Sequence, residues 1–271
     1  MKEKINKLIR PVGIGFLVLG GMVLLGFVER TADRTPITEL FVRVKGEPGV
    51  HFIDEAGVRN VVMEQGTPII GAPMGELNAL ALETRLRNIP CVASAEVYHT
   101  MDGDLHVTVR QREPIVRVLN GDGTSFYIDE EGWSMPTDPD HTARVLVVTG
   151  WLKEPGAING VRSVFESDSI REHCLSDDIH RLAAFIRADP LWNALIDQVV
   201  VNAEGEFELV PRVGGHRVLI GDGSALEKRF AKLRLFYKDG MPKADWRRYA
   251  RIDLRFADQI VCTKRTSPNN P

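Results

Sequence analysis

The 271-residue chain lacks the short motifs that mark the common hydrolases. It has no G-x-S-x-G, S-x-x-K or H-E-x-x-H, so neither the usual serine enzymes nor the zincins are signalled. Its three cysteines, Cys91, Cys174 and Cys262, are odd in number, far apart and without a C-x-x-C. An oxidising compartment would permit one bridge at most, and buried thiols are the simpler expectation. Gly221-Asp222-Gly223 has no third glycine and no βαβ context before it, which reads as a turn rather than a phosphate cradle. His99 and His106 fall on neighbouring strands, but two imidazoles without a third ligand make a poor metal site. Asp129, Glu130 and Glu131 lie in a hairpin turn, where solvation explains them better than acid/base work. No catalytic residue, metal or cofactor is therefore expected.

Long apolar runs are equally scarce. Val12 to Val28 is the one stretch of seventeen residues without a charge. At about 1.5 Å per helical residue it spans roughly 26 Å, the low end of what a hydrocarbon core of about 30 Å requires. Lys2, Lys4, Lys7 and Arg10 precede it against Glu3 alone, an asymmetry that puts the N-terminus in the cytoplasm and the rest outside. The run exceeds a typical signal core, and Phe27 to Ala32 offers no small-x-small cleavage pair, so an uncleaved anchor is expected. No two of its five glycines are four apart, which excludes the G-x-x-x-G dimer motif. Four of the 34 basic and one of the 37 acidic residues precede the run's end, which leaves 30 against 36 beyond it. A net charge of about −6 argues against nucleic acid as a partner.

Beyond the anchor, two differently organised parts follow. Residues 37–44 read as a β-branched strand. Asp54 is a plausible N-cap for a helix bearing Val58, Val61 and Val62 that Gly66 stops. A second helix carries Leu77, Leu80, Leu82 and Leu86 and ends before Pro90. Strands at 92–99 and 105–111 follow, joined by a tight turn at Asp102-Gly103. In the second, Leu105, Val107 and Val109 alternate with His106, Thr108 and Arg110, so one face is buried. The order β-α-α-β-β makes an α+β module.

From Ile115 short strands and turns dominate, with apolar runs at 116–119, 126–128, 145–148, 198–202, 207–210 and 218–220. Two helices interrupt them. One starts at Ser176 and ends by Pro190. The other opens with a capping box, Ser224 to Glu227, and buries Leu226, Phe230, Leu233 and Tyr237. Its Lys228, Arg229 and Lys232 read as a solvated face. A strand over 250–263 closes the part, with its phase broken at Ala257-Asp258.

Several segments together resemble the FtsQ/DivIB bacterial cell-division proteins. They are Asn88-Ile-Pro-Cys-Val-Ala-Ser-Ala-Glu-Val97, Asp102 to Pro114 (through Val-Arg-Gln-Arg-Glu-Pro), Phe126-Tyr-Ile-Asp-Glu-Glu-Gly132 and Ile252-Asp-Leu-Arg-Phe256. Their order and spacing carry the likeness; the loop 150–174 does not align. The resemblance implies a cytoplasmic tail over 1–11, a transmembrane helix over 12–28 and a POTRA domain over 36–113. A mostly antiparallel β-domain with two helices follows over 114–264, then a disordered tail over 265–271. It further implies a non-catalytic protein of the inner membrane, with its bulk in the periplasm at the division septum. There it holds FtsB/FtsL-type partners and other divisome membrane proteins, and so bears on septal peptidoglycan synthesis.

The last strand bears on such a role. Ile252, Leu254 and Phe256 alternate with Arg251, Asp253 and Arg255, so one face packs and the other is charged. A terminal strand with open N–H and C=O groups invites strand addition, and Arg255 is able to meet a partner carboxylate. Alternatively the strand sits centrally and its charges face solvent. The resemblance favours a docking edge made of Arg255, Phe256, Ala257, Asp258, Gln259, Ile260 and Val261. A second functional reading is an envelope assembly or transport factor that handles extended polypeptides through its POTRA unit. Such factors carry tandem units and a barrel, whereas one unit is legible here.

Overall fold

The structure is a computed structural model that describes residues 19, 20, 22, 34–49, 51–64, 68–156, 160–165, 174–244 and 247–265. Apart from Leu19, Gly20 and Met22, the expected anchor at 12–28 lies outside the described residues, as does the tail from 266 onward. Among the described residues no helix is long and apolar enough to cross a membrane. The chain divides into two compact units, one containing 34–45 and 53–111, the other 46–52 and 112–265.

The first unit has the β-α-α-β-β order read from sequence. Its strands are β1 (Glu39–Lys45), β2 (Val92–His99) and β3 (Asp104–Gln111), and its helices are α1 (Glu55–Met63) and α2 (Ala79–Arg87). The sheet order is β1-β3-β2, with β3 parallel to β1 and antiparallel to β2. Asp54 caps α1 as expected, its Oδ1 accepting from Gly57 N at 2.7 Å, and Asn78 does the same for α2. Val58, Val62, Leu82 and Leu86 turn inward onto Leu105, Val107 and Val109, all buried. Leu80 points away and is exposed, because the inward stripe of α2 is set by the spacing of Leu82 and Leu86.

The second unit is one ten-stranded sheet. Its strands are β4 (Pro114–Leu119), β5 (Ser125–Asp129), β6 (Trp133–Pro136), β7 (Leu146–Gly150), β8 (Arg162–Ser163), β9 (Ile196–Val201), β10 (Phe207–Pro211), β11 (Arg217–Gly221), β12 (Tyr249–Asp253) and β13 (Val261–Lys264). Their order is β13-β12-β11-β10-β9-β7-β4-β5-β6-β8. Most pairings are antiparallel, but β4–β7, β7–β9 and β11–β12 are parallel. Two of these parallel steps need helical crossovers. They are α3 (Ser176–Ala188) with α4 (Pro190–Leu195), and α5 (Leu226–Leu235) with a π-turn and α6 (Met241–Ala244). The helical content therefore exceeds the two helices expected. Pro190 ends α3 and opens α4, where its missing N–H costs nothing.

Ladder register lines up one apolar row across eight strands. Phe126, Val118, Val148, Val199, Leu209, Val218, Ile252 and Cys262 are successive neighbours. The helices lay Ile179, Leu182, Ile186, Phe230 and Leu233 on the same side as one core cluster. Each fully buried side chain of this size contributes about 1.5–3 kcal/mol relative to exposure.

Two local readings are corrected. The capping box at Ser224 does not form: Ala225 takes φ 50°, and the Ser224 hydroxyl donates to Asp222 instead. Nor is Asp129 solvated. It is buried, its Oδ2 accepting from Arg112 Nη1 at 2.8 Å and its Oδ1 from Trp133 N at 2.7 Å. Gly132 closes the same turn at φ 80°, where a Cβ would collide with the Phe165 ring. The Arg-Glu-Pro junction and the Asp-x-x-Gly hairpin are thus two halves of one buried ion pair.

Removing one partner of such a pair strands the other charge. Asp129→Ala and Arg112→Ala should each lower the unfolding free energy by about 3–5 kcal/mol, measured by denaturant titration. The double replacement Arg112→Met with Asp129→Leu should recover most of that loss.

Candidate partner-binding edge

The sequence-predicted last strand is two strands. β12 ends at Asp253, residues 254–260 reverse the chain, and β13 returns antiparallel with Asp253 opposite Val261 and Arg251 opposite Thr263. The break at Ala257-Asp258 was legible, but a strand resuming in the same direction was not the outcome. The reversal has a local cause. The Asp253 carboxylate accepts from Arg255 N at 3.0 Å, a side-chain-to-backbone bond that closes a turn.

Of the residues expected to bind a partner, Arg255 to Ile260 occupy the connection and only Val261 lies in β13. Phe256, Ala257, Asp258 and Gln259 are exposed, Ile260 is half-buried against the core, and Val261 is exposed. Arg255 does not extend a free charge. Its guanidinium meets Glu206 at 2.9 Å and Asp253 at 2.7 Å. The bond from Arg255 holds the Glu206 carboxyl below its usual range. Burial opposes ionisation of Asp253, and the Arg255 bonds outweigh it to leave that carboxyl lowered too.

The connection is also held from α5. Lys232 Nζ donates to the Leu254 carbonyl at 2.9 Å and to that of Phe256. Arg229 binds the Asp222 carboxylate and the carbonyls of Asp222 and Ser224. Of the face expected to be solvated, Arg229 and Lys232 are therefore clamps, while Lys228 is exposed as expected. Sequence reasoning missed Lys232 and Glu206, because each acts on a segment distant along the chain and neither carries a motif.

β13 is the end strand of the sheet. One edge bonds to β12, extended by Arg265 N to Arg248 O at 3.0 Å. The other pairs with no strand among the described residues. Cys262 faces the core, while Val261, Thr263 and Lys264 are exposed. Burial raises the Cys262 thiol above its ordinary value. Beneath the hairpin, His216 Nε2 meets Tyr237 Oη at 2.8 Å, and Arg265 binds the Gly215 carbonyl. Burial first, then the Arg265 charge, pulls His216 below its ordinary value against a bond with Gly214. Among the described residues no group of acidic, histidine or cysteine side chains is arranged to hold a metal ion.

A three-stranded unit with two covering helices, followed by a large sheet with an open end strand, defines the class. Residues 37–110 match the model of a POTRA-like domain. Residues 113–263, more than half the chain, match the model described as FtsQ/DivIB, C-terminal related. The chain belongs to the FtsQ/DivIB family. It is similar to the cell division protein FtsQ of Rhodothermus marinus, 29% identical over 203 residues that cover 73% of this chain and 70% of that protein.

Lys232→Ala should free the 254–260 connection, seen as faster amide exchange there with little change in the midpoint of thermal unfolding. For His216 the folded value lies below the unfolded one of about 6.5. The unfolded chain therefore takes up the proton first as pH falls. Stability from this group is full above about pH 6.5 and declines below it. The thermal midpoint should accordingly drop more steeply between about pH 7 and pH 5 in the parent than in His216→Gln.

Proposed function

We propose that this protein is a non-catalytic scaffold of bacterial cell division. It is anchored in the inner membrane by residues 12–28, with its N-terminus cytoplasmic and its bulk periplasmic at the septum. It captures FtsB/FtsL-type partners by adding one of their strands to β13, and so ties them to septal peptidoglycan synthesis. The observation that carries this reading is the end position of β13, whose second edge pairs with no strand among the described residues. Ladder hydrogen bonds along an open edge supply affinity, and exposed side chains at alternate positions supply specificity. Val261 and Thr263 are the alternate exposed positions. Family membership and the name of the Rhodothermus marinus relative support the setting. Charge supports the orientation, with four basic residues and one acidic residue before the apolar run.

Because Ile260 packs against the core, the edge itself is the cleaner test. Proline at 261, 262 and 263 removes N–H groups that alternate between the two sides of the strand. The position or positions facing away from β12 should lose roughly tenfold or more in capture of the co-purified FtsB/FtsL pair, about 1.4 kcal/mol, while the fold persists. Undiminished capture by every folded variant of the three would remove β13 as the docking edge.

A further inference from the structure

The end of the first unit that receives the chain from the apolar run is tied by backbone bonds to two loops and exposes large apolar side chains beside Glu39 and Asp102. Thr35 to Thr38 are threaded between two loops. Thr35 O accepts from Met74 N at 3.0 Å, Ile37 N donates to Ala72 O at 2.9 Å, and Gly71 N donates to Ile37 O at 2.8 Å. Pro36 forms a bridge with Pro73. On the other side Thr38 N donates to Gly103 O at 2.9 Å, and the Thr38 hydroxyl bonds Asp104 at 3.0 Å. Gly103, at φ 102°, admits this approach because a Cβ there would stand 2.8 Å from the Pro36 carbonyl.

These loops display two apolar side chains close to an aromatic row, a grouping rather than a single exposed residue. Met101, in the β2–β3 turn, is 79% exposed, and Ile70, in the loop that grips Ile37, is 45% exposed. Beside them, on the sheet face away from the helices, Phe41, His106 and Tyr98 form one row. Their rings stack at 5.0 Å on each side of the imidazole. Phe41 is 41% and Tyr98 52% exposed. Phe41 and Tyr98 each lie near the strand end that meets this tip.

The tether bounds how far this surface stands from the bilayer. Only residues 29–34 separate the apolar run from the fixed Thr35, a reach of about 25 Å at full extension and less in any other conformation. The polar layer of one leaflet is roughly 5–8 Å deep. The geometry points to the tip as a membrane-interface contact. Met101 and Ile70 dip into the headgroup layer of the bilayer that holds the anchor, and Tyr98 lies at its level, as amphipathic aromatic rings do. Asp102 at the same turn makes this apolar insertion rather than attraction to anionic lipid. The inference rests on the anchor proposed above.

The test uses the full chain in protein-free phospholipid vesicles, with Cys91, Cys174 and Cys262 replaced by Ala and folding checked by thermal unfolding. Single cysteines at Ile70, Met101 and Lys45 carry an environment-sensitive fluorophore. Lys45 lies at the far end of β1, about 23 Å along the strand from Thr38. Blue-shifted emission quenched by brominated lipid at 70 and 101, and neither effect at 45, is the expected result. Should the cysteine-free background not fold, Met101→Trp gives the readout as quenching in excess of that shown by the parent's four tryptophans. If the protein floats with the vesicles but all three probes stay wet, the inference is overturned and the anchor stands. Probes that stay wet in lipid and dry only on adding the FtsB/FtsL pair would overturn it too, and make the tip a protein-docking surface. Failure to float would remove the anchor and the inference together.

Discussion

One apolar row organises the second unit, and the candidate edge is its last step. The row starts at Phe126 and crosses eight strands to Cys262, each residue opposite the next in the ladder. A one-residue slip anywhere would turn a strand's apolar set to the wrong face, so the register of β13 is dictated by the core. The hairpin is thus not a loose appendage. Its inner face is seated by Ile252 and Cys262, and its outward edge is presented in a fixed register.

Polar contacts then immobilise what the core does not reach. Lys232 holds two carbonyls of the 254–260 connection, and Arg255 is gripped by Glu206 and Asp253. None of these exposed pairs adds much stability, since solvent and salt weaken them. Their effect is on geometry. A connection fixed before a partner arrives spares the ordering cost that association otherwise carries. The same economy marks the first unit, where two loops lock Thr35 to Thr38 before β1 begins.

Local signals in the sequence were enough for the first unit. Asp54 acts through Gly57, Gly103 closes its turn on Thr100, and the alternation of Leu105, Val107 and Val109 has a period that only a strand supplies. The second unit was legible in its strands but not in its long-range order. At Ser224 the miss is local instead: Asp222, two residues back, draws off its hydroxyl and competes with the cap. The Asp129 motif was read as a solvated turn because its partner, Arg112, lies on the far side of a strand. Arg255 to Val261 were chosen as one docking edge, with the strand phase broken at Ala257-Asp258 but the direction kept. Asp253 turns the chain inside that segment, and side-chain-to-backbone competition of this kind escapes a count of alternating residues.

The position of β13 has a kinetic meaning as well. Among the described residues it pairs only with β12, and β12 reaches the rest of the sheet through a parallel step to β11 that spans the whole α5 crossover. Contacts so distant along the chain form late, because loop closure precedes any reward from them. The β12–β13 hairpin is local, but its seat on the sheet waits on closure of that crossover. Until then the ribbon lacks its support on β11, so the docking proposed above would select chains in which that crossover is closed.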